Sequence, residues 1–161
     1  MVDTQIQQRF VWRQPKVTER HFDLFDGSTQ IGTIEWNNGQ ATAQMPTGAW
    51  NFKRWGLIKQ YVEITDHPTN KTVGTLSCTG TAEGKLILQG GAIYFWRRPK
   101  VLRNVWTMLD AEGAVVYECQ LHPSILGTGA EITVYQQDIA QLELLLSLGW
   151  YLTYMHSLDT D

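Results

Sequence analysis

The residues of this chain that are best suited to bind a ligand form a basic cluster at positions 97–103, where the sequence reads Arg-Arg-Pro-Lys-Val-Leu-Arg. The cluster directly follows three aromatic residues at 94–96. An earlier stretch carries Lys53 and Arg54, and Lys59 follows a few residues later. Arg and Lys combine a positive charge with directed N–H donors, and this combination suits phosphate groups. Both stretches are therefore candidates for anion binding.

If the two basic stretches lie side by side in the folded protein, their side chains converge on one anion. The sequence therefore predicts a binding site for a phosphorylated ligand, formed by Lys53, Arg54, Arg97, Arg98 and Lys100. The alternative interpretation is a solvated strand end whose long basic side chains cover neighbouring aromatic rings.

Residue types that commonly carry catalysis are present, but their spacing does not indicate a reaction. None of the four histidines stands at metal-ligand spacing from a Cys, an Asp or a second His; they are His21, His67, His122 and His156. Ser124 lacks the Gly-x-Ser-x-Gly turn, and Cys78 has no evident base beside it. The Gly127-Thr128-Gly129 stretch is too short for a phosphate loop. We therefore expect a protein that is not an enzyme and has no metal or cofactor.

Length and composition indicate one folded domain over residues 1–161. Aromatic residues make up 11% of the chain and favour strands. The net charge of −3 provides no general attraction to nucleic acid, so we expect no nucleic-acid partner.

The N-terminal residues and the cysteines predict a compartment. Residues 1–8 lack the basic start and apolar run of a signal peptide, which predicts a cytoplasmic protein. Binding to an anionic phospholipid would make that protein peripheral at a membrane. Cys78 and Cys119 show no CxxC spacing and are expected to be free thiols.

Between residues 9 and 136 the chain alternates short aromatic or β-branched runs with Gly, Asn, Asp and Pro. This pattern predicts about twelve strands. Pairs such as Asp26-Gly27 and Asn38-Gly39 supply the positive φ that tight hairpin turns need. Most neighbouring strands are therefore expected to pair antiparallel.

An internal repeat of about forty residues organises these strands. Three segments share an apolar run that ends in Asp and is followed by a second strand; they are 22–34, 62–76 and 106–117. A second match relates 48–54 to 91–97. Because an Asp that ends a strand can accept hydrogen bonds from the backbone of the following turn, we expect three similar hairpins rather than three ligand sites.

Residues 138–157 predict a helix that is apolar around nearly its whole circumference. A helix that is apolar on all sides must be surrounded by protein or lipid. Its uninterrupted apolar part, Leu142 to Met155, would span about 21 Å, which is short of the roughly 30 Å of a bilayer core. The sequence therefore predicts no transmembrane segment, and strands that close around a buried C-terminal helix.

This order of elements resembles the tubby C-terminal-like superfamily, which includes the plant LURP-one-related proteins and the phospholipid scramblases. The resemblance is carried by strand–Asp–turn units such as Leu24-Phe25-Asp26-Gly27 and by the helix from Leu142 to Met155. It implies a closed barrel filled by its C-terminal helix. It also implies binding of phosphoinositide headgroups by basic residues on the outer face. The cysteine-rich segment of scramblases is absent, so the resemblance does not extend to lipid scrambling.

Two alternatives remain open from the sequence. A lipocalin-like barrel would place the helix outside and carry a small apolar ligand in its interior, although this helix offers few polar residues for a solvent-facing side. A protein–protein interaction domain with no small ligand is the other alternative. The sequence therefore predicts a mainly β closed barrel that binds an anionic phospholipid or a protein partner.

Overall fold

The computed structural model describes residues 7–56, 58–80, 82–99, 104–124 and 127–159. Twelve strands are described: β1 (Gln8–Arg13), β2 (His21–Asp26), β3 (Thr29–Asn37), β4 (Gln40–Met45), β5 (Gly48–Trp55), β6 (Tyr61–Asp66), β7 (Thr72–Gly80), β8 (Glu83–Leu88), β9 (Ile93–Arg97), β10 (Val105–Asp110), β11 (Val115–Ser124) and β12 (Gly127–Val134). One helix, α1 (Leu142–Asp159), follows them.

The strands follow chain order around one closed barrel, and each is antiparallel to both of its neighbours. The pairing of β1 with β12 closes the barrel. Closure removes the unpaired strand edges on which other chains could add strands. The predicted fold class, a closed antiparallel barrel of about twelve strands with one C-terminal helix, is confirmed.

Alternation along the strands sorts side chains between the interior and solvent. In β2, Phe22 and Leu24 are fully buried, and in β6 the same is true of Ile64. The residues between them point outward, as the two-residue period of a strand requires. The inner face of the wall is therefore lined almost entirely by apolar side chains.

Helix α1 occupies the barrel interior. Eleven consecutive residues, 144–154, are buried. The Trp150 ring stacks on Trp12 of β1 at 6.0 Å and meets Phe22 of β2 edge-on at 5.0 Å. The predicted buried helix is confirmed. The alternative of a lipocalin-like barrel, which requires an external helix, is wrong. Within the described residues, no helix has both the length and the apolar character needed to cross a bilayer.

The helix begins four residues later than predicted, at Leu142 instead of Asp138. Residues 135–141 connect the end of β12 in the barrel wall to the start of α1 in the interior, and this connection is not helical. Glu143 fixes the entry, because its carboxylate accepts hydrogen bonds from the Thr47 backbone N–H at 2.9 Å and hydroxyl at 2.8 Å. The carboxylate lies in the first helical turn, where the helix dipole favours negative charge.

The internal repeat appears as three hairpins with the same irregularity. In β2–β3, β6–β7 and β10–β11 the pairing register shifts by one residue immediately before the shared Asp. The shifts fall between Leu24 and Phe25, between Ile64 and Thr65, and between Met108 and Leu109. A bulge of this kind increases local strand twist, so the wall bends in the same way in each unit.

Two of the three repeat aspartates hold their turns through side-chain hydrogen bonds. Asp110 accepts from the backbone N–H groups of Glu112 at 3.0 Å and Ala114 at 2.8 Å. Asp66 accepts from the backbone N–H of Thr69 at 3.2 Å and from its hydroxyl at 2.7 Å. The first hairpin instead turns through Gly27, whose φ of 62° suits a glycine.

Candidate anion-binding surface

The barrel has two distinct ends because neighbouring strands are antiparallel. Connections that follow odd-numbered strands lie at one end, and those that follow even-numbered strands lie at the other. The C-terminal half of α1 reaches the first of these ends, where Met155 and His156 line a recess with Arg54 and Gln60. The N-terminal turn of α1 lies at the opposite end, beside Thr47.

Cross-strand register shows which basic residues are equivalent in the repeat. Lys53 of β5 faces Glu63, and Arg97 of β9 faces Thr107. Glu63 and Thr107 each lie three residues before the shared Asp. Lys53 therefore corresponds to Arg97, and Arg54 to the next residue, Arg98. The sequence match between 48–54 and 91–97 is displaced by one residue from this alignment.

The two basic stretches do not lie side by side. Strands β6, β7 and β8 separate β5 from β9 around the barrel. Lys53 and Arg97 point outward from these separated strands, while Arg54 and Arg98 lie at the barrel end. The expected convergence of two adjacent hairpins is therefore wrong, because sequential strands fill the wall between them. Lys100 lies outside the described residues.

Three outward-pointing cations, Arg13, Lys53 and Arg97, surround the barrel near the helix C-terminus, and we call them the collar. Arg13 of β1 faces Asp23 as Lys53 faces Glu63, so Arg13 is the first-unit counterpart of Lys53 and Arg97. The Lys53 ammonium lies 3.9 Å from the centre of the Trp55 ring, and the Arg13 guanidinium lies 5.0 Å from that of Phe25.

The sequence does not predict the collar as a set, because the match between 48–54 and 91–97 covers only two units of the repeat. Arg13 precedes the run that ends in Asp26 just as Lys53 precedes the run that ends in Asp66. The same alignment applied to the first unit would have identified Arg13. The three collar residues lie on strands that are four positions apart around the barrel. They therefore surround the barrel and do not form one pocket.

Arg97 borders a groove of about 360 Å³ on the outer wall. Glu83 and Glu112 also line this groove, together with Phe95 and Leu109. Two carboxylates beside one guanidinium oppose the binding of a phosphate there. The groove is therefore a weaker anion site than the barrel end itself.

Aromatic rings support Arg98 at the barrel end. Its guanidinium lies 5.5 Å from the centre of the Trp106 ring, which stacks in parallel on Trp96 at 4.5 Å. The Trp106 ring also meets His156 of α1 at 4.7 Å. This stack joins Arg98 to the helix C-terminus, so its charge is held at the end of the barrel.

Arg54 lines the recess of about 70 Å³ at the same end, together with Cys78, Glu83 and His156. Burial raises the pKa of the Cys78 thiol above its ordinary value, and the positive charge of Arg54 opposes that shift. Similarly, burial raises the pKa of Tyr154, and Arg20 opposes the shift. Both arginines therefore place positive charge around the helix C-terminus.

Charge is segregated between the two ends. We call the end at the helix C-terminus the basic end; its described residues include Lys16, Arg20, Arg54, Lys59 and Arg98, against Glu19 and Glu83. We call the other the acidic end; it carries Asp26, Asp66, Asp110, Glu112, Asp138 and Glu143, against Lys71. Within the described part of the chain, cations thus outnumber carboxylates at the basic end, and carboxylates outnumber cations at the acidic end.

The histidines make local contacts instead of forming a common site. His21 lies 2.8 Å from an Asp23 carboxylate oxygen, and His67 lies 3.0 Å from the Asn51 amide oxygen. In the part of the chain that the structure describes, no three His, Cys, Asp or Glu side chains are grouped so that they could hold a metal ion.

Comparisons with protein-family models, with curated protein sequences and with solved structures find no significant match to this chain.

Proposed function

We propose that this protein is a non-catalytic binding module whose basic end holds a phosphorylated, anionic ligand. The observation that carries the proposal is the opposite charge of the two barrel ends. Because net charge is negative, the molecule as a whole does not attract an anion, and among the described residues the basic end is where cations outnumber carboxylates.

Two cations of the basic end, Lys59 and Arg98, are available to a ligand. Among the described residues, no carboxylate lies within 4.0 Å of the charged nitrogens of Lys59 or Arg98. Their positive charge is therefore not neutralised by a close ion pair. The rings under Lys53 and Arg98 also restrict these side chains before a ligand arrives, which reduces the entropy lost on binding.

The tubby-like resemblance supports the same proposal. Twelve strands closed around an apolar C-terminal helix agree with the architecture that the resemblance implies. That superfamily implies phosphoinositide recognition on the outer face of the barrel. We accordingly propose a cytoplasmic protein that works at the periphery of a membrane, with Lys53, Arg54, Arg97, Arg98 and Lys100 as contributors to anion binding.

Titration with inositol hexakisphosphate, followed by isothermal calorimetry, tests anion binding without any lipid. Reversing two charges at the basic end, with Lys59→Glu and Arg98→Glu together, should weaken binding by roughly tenfold or more. The matched pair of single charge reversals is Lys59→Glu at the basic end and its control, Lys71→Glu, at the acidic end.

At an ionic strength of about 0.15 M the control should bind within about twofold of the unmodified protein, because strands such as β6 (Tyr61–Asp66) hold the two ends farther apart than the Debye length of roughly 8 Å. Equal loss in Lys59→Glu and Lys71→Glu would show that only net charge matters and would contradict a local site. An unmodified protein that does not bind the phosphates at low ionic strength would overturn the proposal. A protein–protein interaction domain would then be the better hypothesis.

A further inference from the structure

The tip of the β5–β6 hairpin places exposed apolar side chains at the basic end. Residues 55–61 read Trp-Gly-Leu-Ile-Lys-Gln-Tyr. Ile58 is 100% exposed, and Trp55 and Tyr61 are 41% and 39% exposed. Leu57 lies outside the described residues. A single exposed apolar residue is common on protein surfaces, so the meaning of Ile58 depends on the groups that lie beside it.

Local structure fixes the shape of this tip. Trp55 and Tyr61 are cross-strand partners, and they form the last pair of the β5–β6 ladder. Gly56 has a φ of 92°, and a Cβ atom added there would collide with the Lys59 carbonyl. The turn therefore requires glycine, and the hairpin presents Ile58 beyond the last cross-strand pair of the ladder.

Other exposed apolar groups are concentrated at the same end. Val17, in the β1–β2 connection, is 56% exposed. Of the six large apolar side chains that are exposed in the described residues, four lie at the basic end, and only Ile87 and Tyr135 lie elsewhere. Apolar and basic groups thus occupy one surface.

This combination fits the interface of a bilayer better than the surface of a folded protein. Trp and Tyr rings favour the headgroup region, and an aliphatic side chain such as Ile58 favours the acyl boundary below it. Lys59 can extend its charge back to the phosphates while its methylene groups remain in apolar surroundings. Cations distributed around a whole barrel end also match an extended anionic surface.

We propose that the tip of the β5–β6 hairpin inserts into the headgroup region of a bilayer that contains anionic phospholipids. The basic end then faces the membrane, and the acidic end, which anionic lipids repel, faces away. This inference rests on the proposed function, because the cations of the basic end supply the attraction. It adds an apolar contact and an orientation that binding of a soluble phosphate does not require.

The test is flotation with vesicles of phosphatidylcholine containing phosphatidylserine, compared with vesicles of phosphatidylcholine alone. Ile58→Ser removes the apolar group without changing charge, and Ile87→Ser makes the same change on the outer wall, where Ile87 is 48% exposed. We expect Ile58→Ser to weaken vesicle binding by roughly five- to tenfold. Ile87→Ser should leave it unchanged.

A second readout reports insertion at a named residue. Phospholipids with brominated acyl chains should quench part of the tryptophan emission of the bound protein, and Trp55→Phe should abolish that quenching. Inositol hexakisphosphate binding should be the same in Ile58→Ser and the unmodified protein.

The outcomes separate this inference from the proposed function. Binding to inositol hexakisphosphate without binding to anionic vesicles overturns insertion and leaves the proposed function in place. Failure to bind either ligand overturns both. Vesicle binding that is insensitive to Ile58→Ser, or equally sensitive to Ile87→Ser, overturns the role of the tip.

Discussion

The Tyr117 hydroxyl on β11 occupies the space that Gly149 leaves open on helix α1. From there it donates a 2.7 Å hydrogen bond to the carbonyl oxygen of Leu145. A Cβ atom at position 149 would collide with this hydroxyl. In the other two units, the positions equivalent to Tyr117 are Gly32 and Gly74 on the wall. In the third unit the wall position is therefore filled by the bulky Tyr117, and the glycine that makes room for it, Gly149, lies on the helix.

Gly149→Ala should destabilise the protein by about 1–3 kcal/mol, because the added methyl group forces Tyr117 away from α1. Tyr117→Phe should cost about 1–2 kcal/mol through the lost hydrogen bond. Since both changes act on one contact, the double variant should be more stable than the sum of the single effects predicts. Urea unfolding of the four proteins measures the coupling.

Tyr94→Phe is the matched control for this cycle, because Tyr94 lies on β9 and contributes a different part of the wall. Its effect should add simply to that of Gly149→Ala. Simple addition for Tyr117→Phe as well would contradict the fitted contact.

Leu145→Asp should prevent cooperative folding. Leu145 is fully buried in the barrel, and an unpaired buried carboxylate costs several kcal/mol against a total stability of about 5–15 kcal/mol. Far-UV circular dichroism during urea titration should show no folded baseline. A soluble variant with a sharp unfolding transition would contradict the central position of the helix; Gln141→Asp, at the exposed entrance to α1, is the control and should fold.

Alkaline pH should destabilise the protein through Cys119. Burial raises the pKa of this thiol from 9.0 to about 12, and the Thr153 hydroxyl opposes the shift. Above pH 9.0 the unfolded state releases the proton that the folded state keeps, so stability falls by up to about 1.4 kcal/mol per pH unit. Tyr117, whose pKa burial raises well above 10.0, adds to the loss at higher pH.

Urea midpoints between pH 8 and pH 10 measure this effect, in buffers chosen to bracket the ordinary thiol pKa. Cys119→Ala should remove most of the decline. Cys78→Ala should retain most of it, because Cys78 is only partly buried and Arg54 opposes the rise in its pKa. An unchanged decline in Cys119→Ala would show that other groups are responsible.

Acidic pH should loosen the β10–β11 turn. The Gln136 side chain and the backbone N–H groups of the turn donate to Asp110 and lower its pKa below 3.8. The ionised carboxylate therefore contributes stability that is present above pH 3.8 and is lost as the pH falls below it. Asp110→Asn should be less stable than the unmodified protein at pH 7, and this difference should shrink at pH 3. A difference that is constant with pH would contradict the role of the charge.

Much of the fold could be predicted from the sequence because local patterns determine it. The strands carry alternating apolar residues, the turns carry Gly after Asp or Asn, and α1 is apolar around its circumference. Element ends were less predictable. The extension of β12 back to Gly127 depends on pairing with Leu121–Ser124 across a connection whose sequence gives no clear signal.

The arrangement of the basic residues could not be predicted in the same way. Similar sequences indicate equivalent positions in a repeat, but they do not place those positions next to each other. Lys53 and Arg97 are equivalent and yet separated by three strands, because neighbours in a closed barrel are set by chain order. The concentration of positive charge at one end arises from loops such as those of Arg20 and Lys59, which share no motif.

The central helix follows all twelve strands in the chain. During synthesis, every strand therefore leaves the ribosome before the segment around which the wall must close. The inner face, with Trp12, Phe22 and Ile64, has no partner until then. Native folding thus awaits translation of α1, and the nascent wall exposes the kind of apolar surface that chaperones shield.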